Sequence, residues 1–214
     1  PRVRIDHFRG FASYWAVPFG ADDARAGEWR QGPGKAIFEA FTARMGSPLS
    51  VIAEDLGLID EPVRELLEST GLPGMKVLQF AFGDQADHIY LPHNHGTNSV
   101  VYTGTHDNDT TLGWWTNTQE RVRDHVRRYF GIDGHDVVWD LIRAAMASGS
   151  TTAIIPMQDV LALGADARMN TPSLPEGNWG WRLPKDGLNG FAGHRLRELC
   201  MLYGRHPDTA TDDT

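Results

Sequence analysis

Residues 51–57, VIAEDLG, pass from a short apolar and β-branched run directly into two acids and a glycine. A run of this kind is typical of a buried strand in a parallel sheet. Comparable runs lie on both sides of it along the chain. Together they predict strands at residues 3–6, 50–54, 75–82, 99–103 and 151–155.

Helical patterns separate most of these strands. Residues 60–69, for example, begin with an acidic turn and stop at Gly71. The alternation predicts an α/β fold, and strands with long connections favour a partial (β/α)8 TIM barrel over a complete dinucleotide-binding domain. The predicted helices lie at residues 35–44, 60–69, 118–129, 135–148 and 193–203.

The composition limits the class of protein. Of 214 residues, 41% are hydrophobic and 22% charged, which is ordinary globular usage. A net charge of −8 without a basic cluster disfavours a nucleic-acid partner. The single cysteine, Cys200, excludes a disulfide within one chain, and no apolar run reaches membrane-spanning length, so we expect a cytoplasmic protein with no membrane partner.

The ends of the chain carry a further expectation. Strand-like sequence begins at once and no initiator methionine precedes it, so we expect the chain to be a fragment of a longer protein. Residues 206–214 are predicted to be a disordered tail.

Acidic residues follow the first two predicted strands where each ends, the edge at which parallel α/β folds gather catalytic groups. The two-residue alternation of a strand places Arg4 and Asp6 on one side, so the guanidinium can hold the carboxylate ionised. Glu54 is the better candidate for a proton donor than Asp55, which we expect to bind a backbone amide or cap a turn. A structural ion pair and a helix cap are the alternative interpretations.

The densest polar segment is residues 102–111, YTGTHDNDTT, after the fourth predicted strand. Here His106 and Asp107 could bind sugar hydroxyls, whereas Asp109 or Thr110 could cap the following segment. Asn170, in a turn-like stretch, offers both a donor and an acceptor to a hydroxyl. A competing interpretation is a metal-dependent hydrolase built on His93 and His95, but a loop fixes their geometry poorly and no third ligand is evident.

The chain resembles the 4-α-glucanotransferases of the amylomaltase or disproportionating-enzyme family, glycoside hydrolase family 77. The resemblance runs from about residue 3 to residue 182. It rests on seven motifs in the family's order: VRIDHFRGF (3–11), IAEDLG (52–57), PGMKVLQFAF (73–82), YTGTHDNDTT (102–111), IPMQDVL (155–161), ARMNTP (167–172) and GNWGWR (177–182).

The resemblance implies a role for each candidate residue. By position, Asp6 is the nucleophile, Glu54 the acid/base and Asp107 the stabiliser of the transition state in a retaining enzyme that acts on α-1,4-glucans. The residues implied to bind substrate are Arg4, His106 and Asn170. Ser173 stands where the family has a glycine. Because the family's chain extends well before the first motif, the resemblance implies that residues 1–205 are the C-terminal portion of the catalytic (β/α)8 barrel, its later strands and helices. The missing N-terminal part of the same protein would then be a partner.

The implied activity is transfer of α-1,4-glucan segments between maltodextrin or starch-type glucans, with a glucan donor and acceptor as ligands. No metal or other cofactor is expected, because two carboxylates supply the acid, base and nucleophile. An α-amylase-like hydrolase and a non-catalytic carbohydrate-binding fragment stay open as alternatives.

Overall fold

The computed structural model describes residues 2–83, 85–187 and 190–206. The chain divides into two compact units. The first comprises Pro1–Met75 and Asn98–Val100, and the second comprises Lys76–Thr97 and Val101–Thr214.

The first unit is built on two pairs of strands. The elements, in chain order, are β1 (Val3–Ile5), β2 (Ser13–Ala16), β3 (Glu28–Gln31), α1 (Lys35–Met45), β4 (Val51–Ala53) and α2 (Glu61–Thr70). Strands β1 and β4 pair in parallel with Ile5 opposite Ala53, whereas β2 and β3 form an antiparallel hairpin. Helix α2 starts where the Asp60 carboxylate accepts a hydrogen bond from the Val63 N–H, and it ends at Gly71 with φ +66°.

The core of this unit lies between the two helices and the parallel strand pair. Phe8, from the turn after β1, is fully buried and its ring centroid lies 5.6 Å from that of Phe38 on α1. The Phe8 turn is therefore fixed by packing. The buried members of the cluster are Phe8, Phe38, Ala53, Val63, Leu66 and Leu72.

The other strands form a three-stranded sheet in the order β5 (Gly74–Val77), β6 (Ser99–Tyr102), β7 (Thr152–Ile154). The helices of the second unit are α3 (Thr111–Asn117), α4 (Glu120–Phe130), α5 (Val137–Ala147), α6 (Met157–Val160) and α7 (Gly190–Leu202). Helix α5 is buried along most of its length, in keeping with its apolar sequence.

The predicted α/β class is confirmed, and each predicted strand and helix has a counterpart. All five predicted strands are shorter than expected, and the one predicted at residues 75–82 differs most: the chain leaves the sheet after Val77 and forms a 3-10 turn at Leu78–Phe80. Hairpin β2–β3 and helices α3 and α6 were not predicted. Apart from His206, the expected disordered tail at residues 206–214 lies outside the described residues.

Candidate active site

Arg4 and Asp6 form the ion pair expected from the strand alternation. An Arg4 Nη2–H donates to Asp6 Oδ1 at 2.8 Å, and Nη1 lies 3.8 Å from the Met75 sulfur. The Asp6 side chain is 74% exposed and that of Arg4 is 25% exposed. The pair thus leaves the carboxylate oriented and open to solvent, as attack on a bound substrate would require.

Glu54 follows β4 just as Asp6 follows β1. Ile5 and Ala53, the residues just before them, lie opposite each other at the ends of these parallel strands. Its Oε2 accepts from the His7 N–H at 2.6 Å and its Oε1 from the Leu56 N–H at 2.9 Å. His7 itself adopts a left-handed conformation, φ 50°, at the start of the turn that follows Asp6. The Glu54 carboxylate is therefore fixed by backbone donors on both oxygens.

Asp55 has the structural role expected of it. Its Oδ1 accepts a hydrogen bond from the buried Met75 N–H at 2.6 Å, and its side chain is buried. A Cβ at Gly74 would lie 2.5 Å from the Asp55 carboxylate, so only glycine fits there. Asp55 thus links β4 to β5 and has a structural role, whereas the adjacent acid, Glu54, is half-buried.

The second unit brings together His106, Asp107 and Asn170. An Asn170 Nδ2–H donates to Asp107 Oδ1 at 2.5 Å, and His106 Nε2 lies 3.2 Å from Asp107 Oδ2. The Asn170 N–H also donates to the His106 carbonyl, and an Arg168 Nη2–H to the Asp107 carbonyl. The Asp107 carboxylate therefore has a neighbour on each oxygen and still keeps 46% of its side chain exposed.

Trp179 borders this group in an unusual backbone conformation. Its φ is 60°, a region that bulky residues rarely adopt, and its ring centroid lies 5.2 Å from that of His106. Its N–H donates to the Met169 carbonyl at 2.7 Å. Ser173 nearby has φ 70°, a conformation that glycine adopts freely, which accounts for the glycine that the resemblance places there.

Asp159 was not singled out from the sequence, although it lies in the IPMQDVL motif. It is 1% exposed. Its Oδ2 accepts from the hydroxyls of Thr103 at 2.5 Å and Thr111 at 2.7 Å, and its Oδ1 accepts from the Thr111 N–H at 2.8 Å. One carboxylate thus fixes both ends of residues 104–110, the loop that carries His106 and Asp107. Thr110 caps α3 through Gly113, as expected.

We expect Asp159→Ala to lower the free energy of unfolding by about 3 kcal/mol, because buried donors of Thr103 and Thr111 would lose their acceptor. Urea denaturation measures the change. Asp159→Asn is the matched control, since its amide oxygen can still accept from the Thr111 N–H and its loss should be smaller. Equal losses in the two variants would show that the features asparagine retains, the shape of the side chain and the acceptor for the Thr111 N–H, contribute little.

Burial raises the pKa of Asp159 above its usual 3.8, against the opposing effect of the threonine donors. The folded chain therefore keeps the Asp159 proton to a higher pH than the unfolded chain does. The stability that this protonation contributes is complete below the pKa of Asp159 in the unfolded chain, and it is lost as the pH rises through the pKa of Asp159 in the folded chain. The pH dependence of unfolding in Asp159→Asn should lack this fall.

The two histidines of the competing metal interpretation are engaged with protein atoms. His93 Nδ1 lies 2.7 Å from the Tyr129 hydroxyl, and His95 Nε2 lies 2.9 Å from the Tyr90 carbonyl. Desolvation lowers the pKa of His95. Within the described ranges, histidines, cysteines and acids nowhere gather in a group of three that could hold a metal ion. No helix of these same ranges is long and apolar enough to cross a membrane.

Comparison with known proteins identifies relatives over almost the whole chain. The model of glycoside hydrolase family 77, described as 4-alpha-glucanotransferase, matches residues 2–188. The chloroplastic/amyloplastic 4-alpha-glucanotransferase of Arabidopsis thaliana is 53% identical over 207 residues, which are 94% of this chain and 36% of that protein. The 4-alpha-glucanotransferase of Thermus thermophilus is 46% identical over 95% of this chain and 42% of its own length.

A solved structure has a similar fold. The amylomaltase of Streptococcus agalactiae, in complex with acarbose, matches with a TM-score of 0.89 and 37% identity over 95% of this chain and 41% of that one. The chain therefore spans between 36% and 42% of the length of these relatives.

Proposed function

The chain belongs to glycoside hydrolase family 77, the 4-alpha-glucanotransferases, and on this premise we propose that the protein containing it transfers α-1,4-glucan segments between maltodextrin or starch-type glucans. The observation that best supports the proposal is the placement of Asp6 and Glu54. Asp6 follows Ile5 and Glu54 follows Ala53, and these two residues lie opposite each other in the parallel strands β1 and β4. Neighbouring strands of a sheet lie about 4.8 Å apart. A retaining mechanism needs carboxyl groups about 5–5.5 Å apart.

In this mechanism Asp6 attacks the anomeric carbon while Glu54 protonates the departing glycosidic oxygen. The products of this first step are a β-linked glycosyl ester of Asp6 and a released glucan. Glu54, now ionised, takes the proton from the 4-hydroxyl of the acceptor, which attacks the same carbon and releases Asp6. Two inversions retain the α configuration, and no cofactor takes part.

The other predicted residues receive supporting roles. Arg4 orients the Asp6 carboxylate through the 2.8 Å ion pair. We assign to Asp107 the stabilisation of positive charge on the sugar ring in the transition state, with Asn170 and His106 holding its carboxylate and contacting sugar hydroxyls. Each assignment rests on the motif that contains the residue and on its hydrogen bonds within its own unit.

Two broader points belong to the same proposal. The likeness to the Streptococcus agalactiae amylomaltase and the parallel pairing of β1 with β4 support assignment of the strands to the later part of a (β/α)8 barrel. A cytoplasmic location is also proposed, although the Arabidopsis relative is named as chloroplastic/amyloplastic, so the compartment is not common to all relatives.

The test is incubation of the purified gene product that contains this chain with maltotriose. We expect a ladder of longer maltodextrins together with glucose, because the glycosyl enzyme passes its sugar to a second glucan. Chromatography of the products over time measures the ladder. Glucose and maltose without longer products would indicate an α-amylase-like hydrolase, and binding of maltodextrin without turnover would indicate a carbohydrate-binding protein.

A further inference from the structure

The β2–β3 hairpin presents an aromatic face that the proposed mechanism does not use. Trp15 lies directly opposite Trp29, and Ser13 opposite Gln31, so these four side chains share one face of the hairpin. The two indoles meet edge to face with centroids 5.5 Å apart. Trp15 is 42% exposed and Trp29 is 57% exposed.

Protein contacts fix the orientation of both rings. The Trp15 Nε1–H donates to the Ala24 carbonyl at 2.7 Å. The Arg9 guanidinium lies over the Trp29 ring, 4.8 Å from its centroid. Arg9 itself donates to the Leu58 carbonyl at 2.6 Å and to Asp60 at 3.1 Å. A ligand that stacks on these indoles would thus lose little affinity to side-chain ordering.

The same contacts connect the hairpin with the acid/base candidate. The turn that leads into β2 begins after Asp6, and its first residues, His7 and Phe8, donate their N–H groups to Glu54. Arg9 then binds the segment that follows Glu54. In a retaining mechanism the acid/base protonates the oxygen of the departing glucan and later deprotonates the acceptor, so the acceptor glucan binds beside Glu54, the residue to which the turn before the hairpin is hydrogen-bonded.

We propose that Trp29, flanked by Gln31, forms a binding subsite for a glucose unit of the acceptor glucan. The indole ring would cover the apolar face of the pyranose, and the amide of Gln31 would bind a hydroxyl. This inference rests on the proposed glucanotransferase function and adds the residues that recognise the second substrate. Arg9 is a positioning residue, because it acts through the ring of Trp29.

The experiment separates acceptor binding from the first chemical step. In the gene product that contains this chain, 4′-deoxy-α-maltosyl fluoride supplies the glycosyl group. It places no glucan on the acceptor side and cannot itself be an acceptor, because it lacks the terminal 4-hydroxyl, and the maltose concentration is varied. We expect Trp29→Ala to raise the half-saturating maltose concentration by about 3- to 10-fold, the value of one aromatic contact. Fluoride release without maltose should be unchanged, and a larger share of product should come from water.

Two further variants define the result. Trp29→Phe keeps a ring and should show a smaller increase, whereas Phe19→Ala removes a fully exposed ring from the connection between β2 and β3 and should leave acceptor saturation unchanged. An unchanged half-saturating concentration in Trp29→Ala would overturn the inference. So would a lower melting temperature with a proportional loss of fluoride release, which would mean that another part of the protein covers the ring. Absence of transfer by the unmodified protein would refute the proposed function itself.

Discussion

Asp6→Gly is expected to reduce glucan transfer on the order of 10⁴-fold, because the covalent intermediate can no longer form. The cavity left at residue 6 admits a small anion. With α-maltosyl fluoride and sodium azide, azide should attack the anomeric carbon from the side that Asp6 occupied and displace fluoride with one inversion. The product is then β-maltosyl azide, which nuclear magnetic resonance distinguishes from the α anomer.

The matched control is Asp186→Asn, an exposed acid in the second unit that should transfer glucan normally. A second readout is the mass of the intact protein after reaction with a slow 5-fluoroglycosyl fluoride, which should increase by one sugar in the unmodified protein and not in the variant. Formation of the α-azide, or a mass increase that persists in Asp6→Gly, would remove Asp6 from the role of nucleophile.

Glu54→Ala is expected to reduce transfer from maltotriose by about 10²- to 10⁴-fold, the usual contribution of a general acid and base. The effect should depend on the leaving group. Fluoride departs without a proton, so the glycosyl enzyme should still form from α-maltosyl fluoride, and azide should then release it as α-maltosyl azide after two inversions. The two variants thus predict azides of opposite configuration.

Glu65→Gln, an exposed acid on α2, provides the control for Glu54 and should transfer normally. Loss of the backbone hydrogen bonds from His7 and Leu56 is a separate effect of Glu54→Ala, and Glu54→Gln tests it because the amide oxygen can keep one of them. If the glutamine variant transferred glucan as well as the unmodified protein, Glu54 would be a structural residue.

Local sequence patterns predicted the elements whose boundaries carry their own signals. Helix α2 has a capping acid at Asp60 and a left-handed glycine at Gly71, and β1 and β4 end where apolar residues give way to acids. The ion pair of Arg4 with Asp6 also followed from alternation along a strand, because the two residues are close in sequence.

Features that depend on distant residues were not predicted. Leu78 and Phe80 continue the apolar run that begins in β5, so the pattern did not reveal that residues 78–80 turn out of the sheet. The β2–β3 hairpin has a long connection and no two-residue turn signal. The hydrogen bonds of Asp159 with Thr103 and of Asn170 with Asp107 span more than fifty residues, which no local periodicity indicates.

The Asp159 carboxylate accepts hydrogen bonds at both ends of the loop of residues 104–110, and this affects how the loop opens. Because one buried carboxylate holds both ends, exposing it releases the two ends together, whereas Asn170 and Arg168 hold the middle of the loop separately. The two ends should therefore be ordered or released as one unit, and His106 and Asp107 lose their places only when the hydrogen bonds from Asn170 and Arg168 break as well.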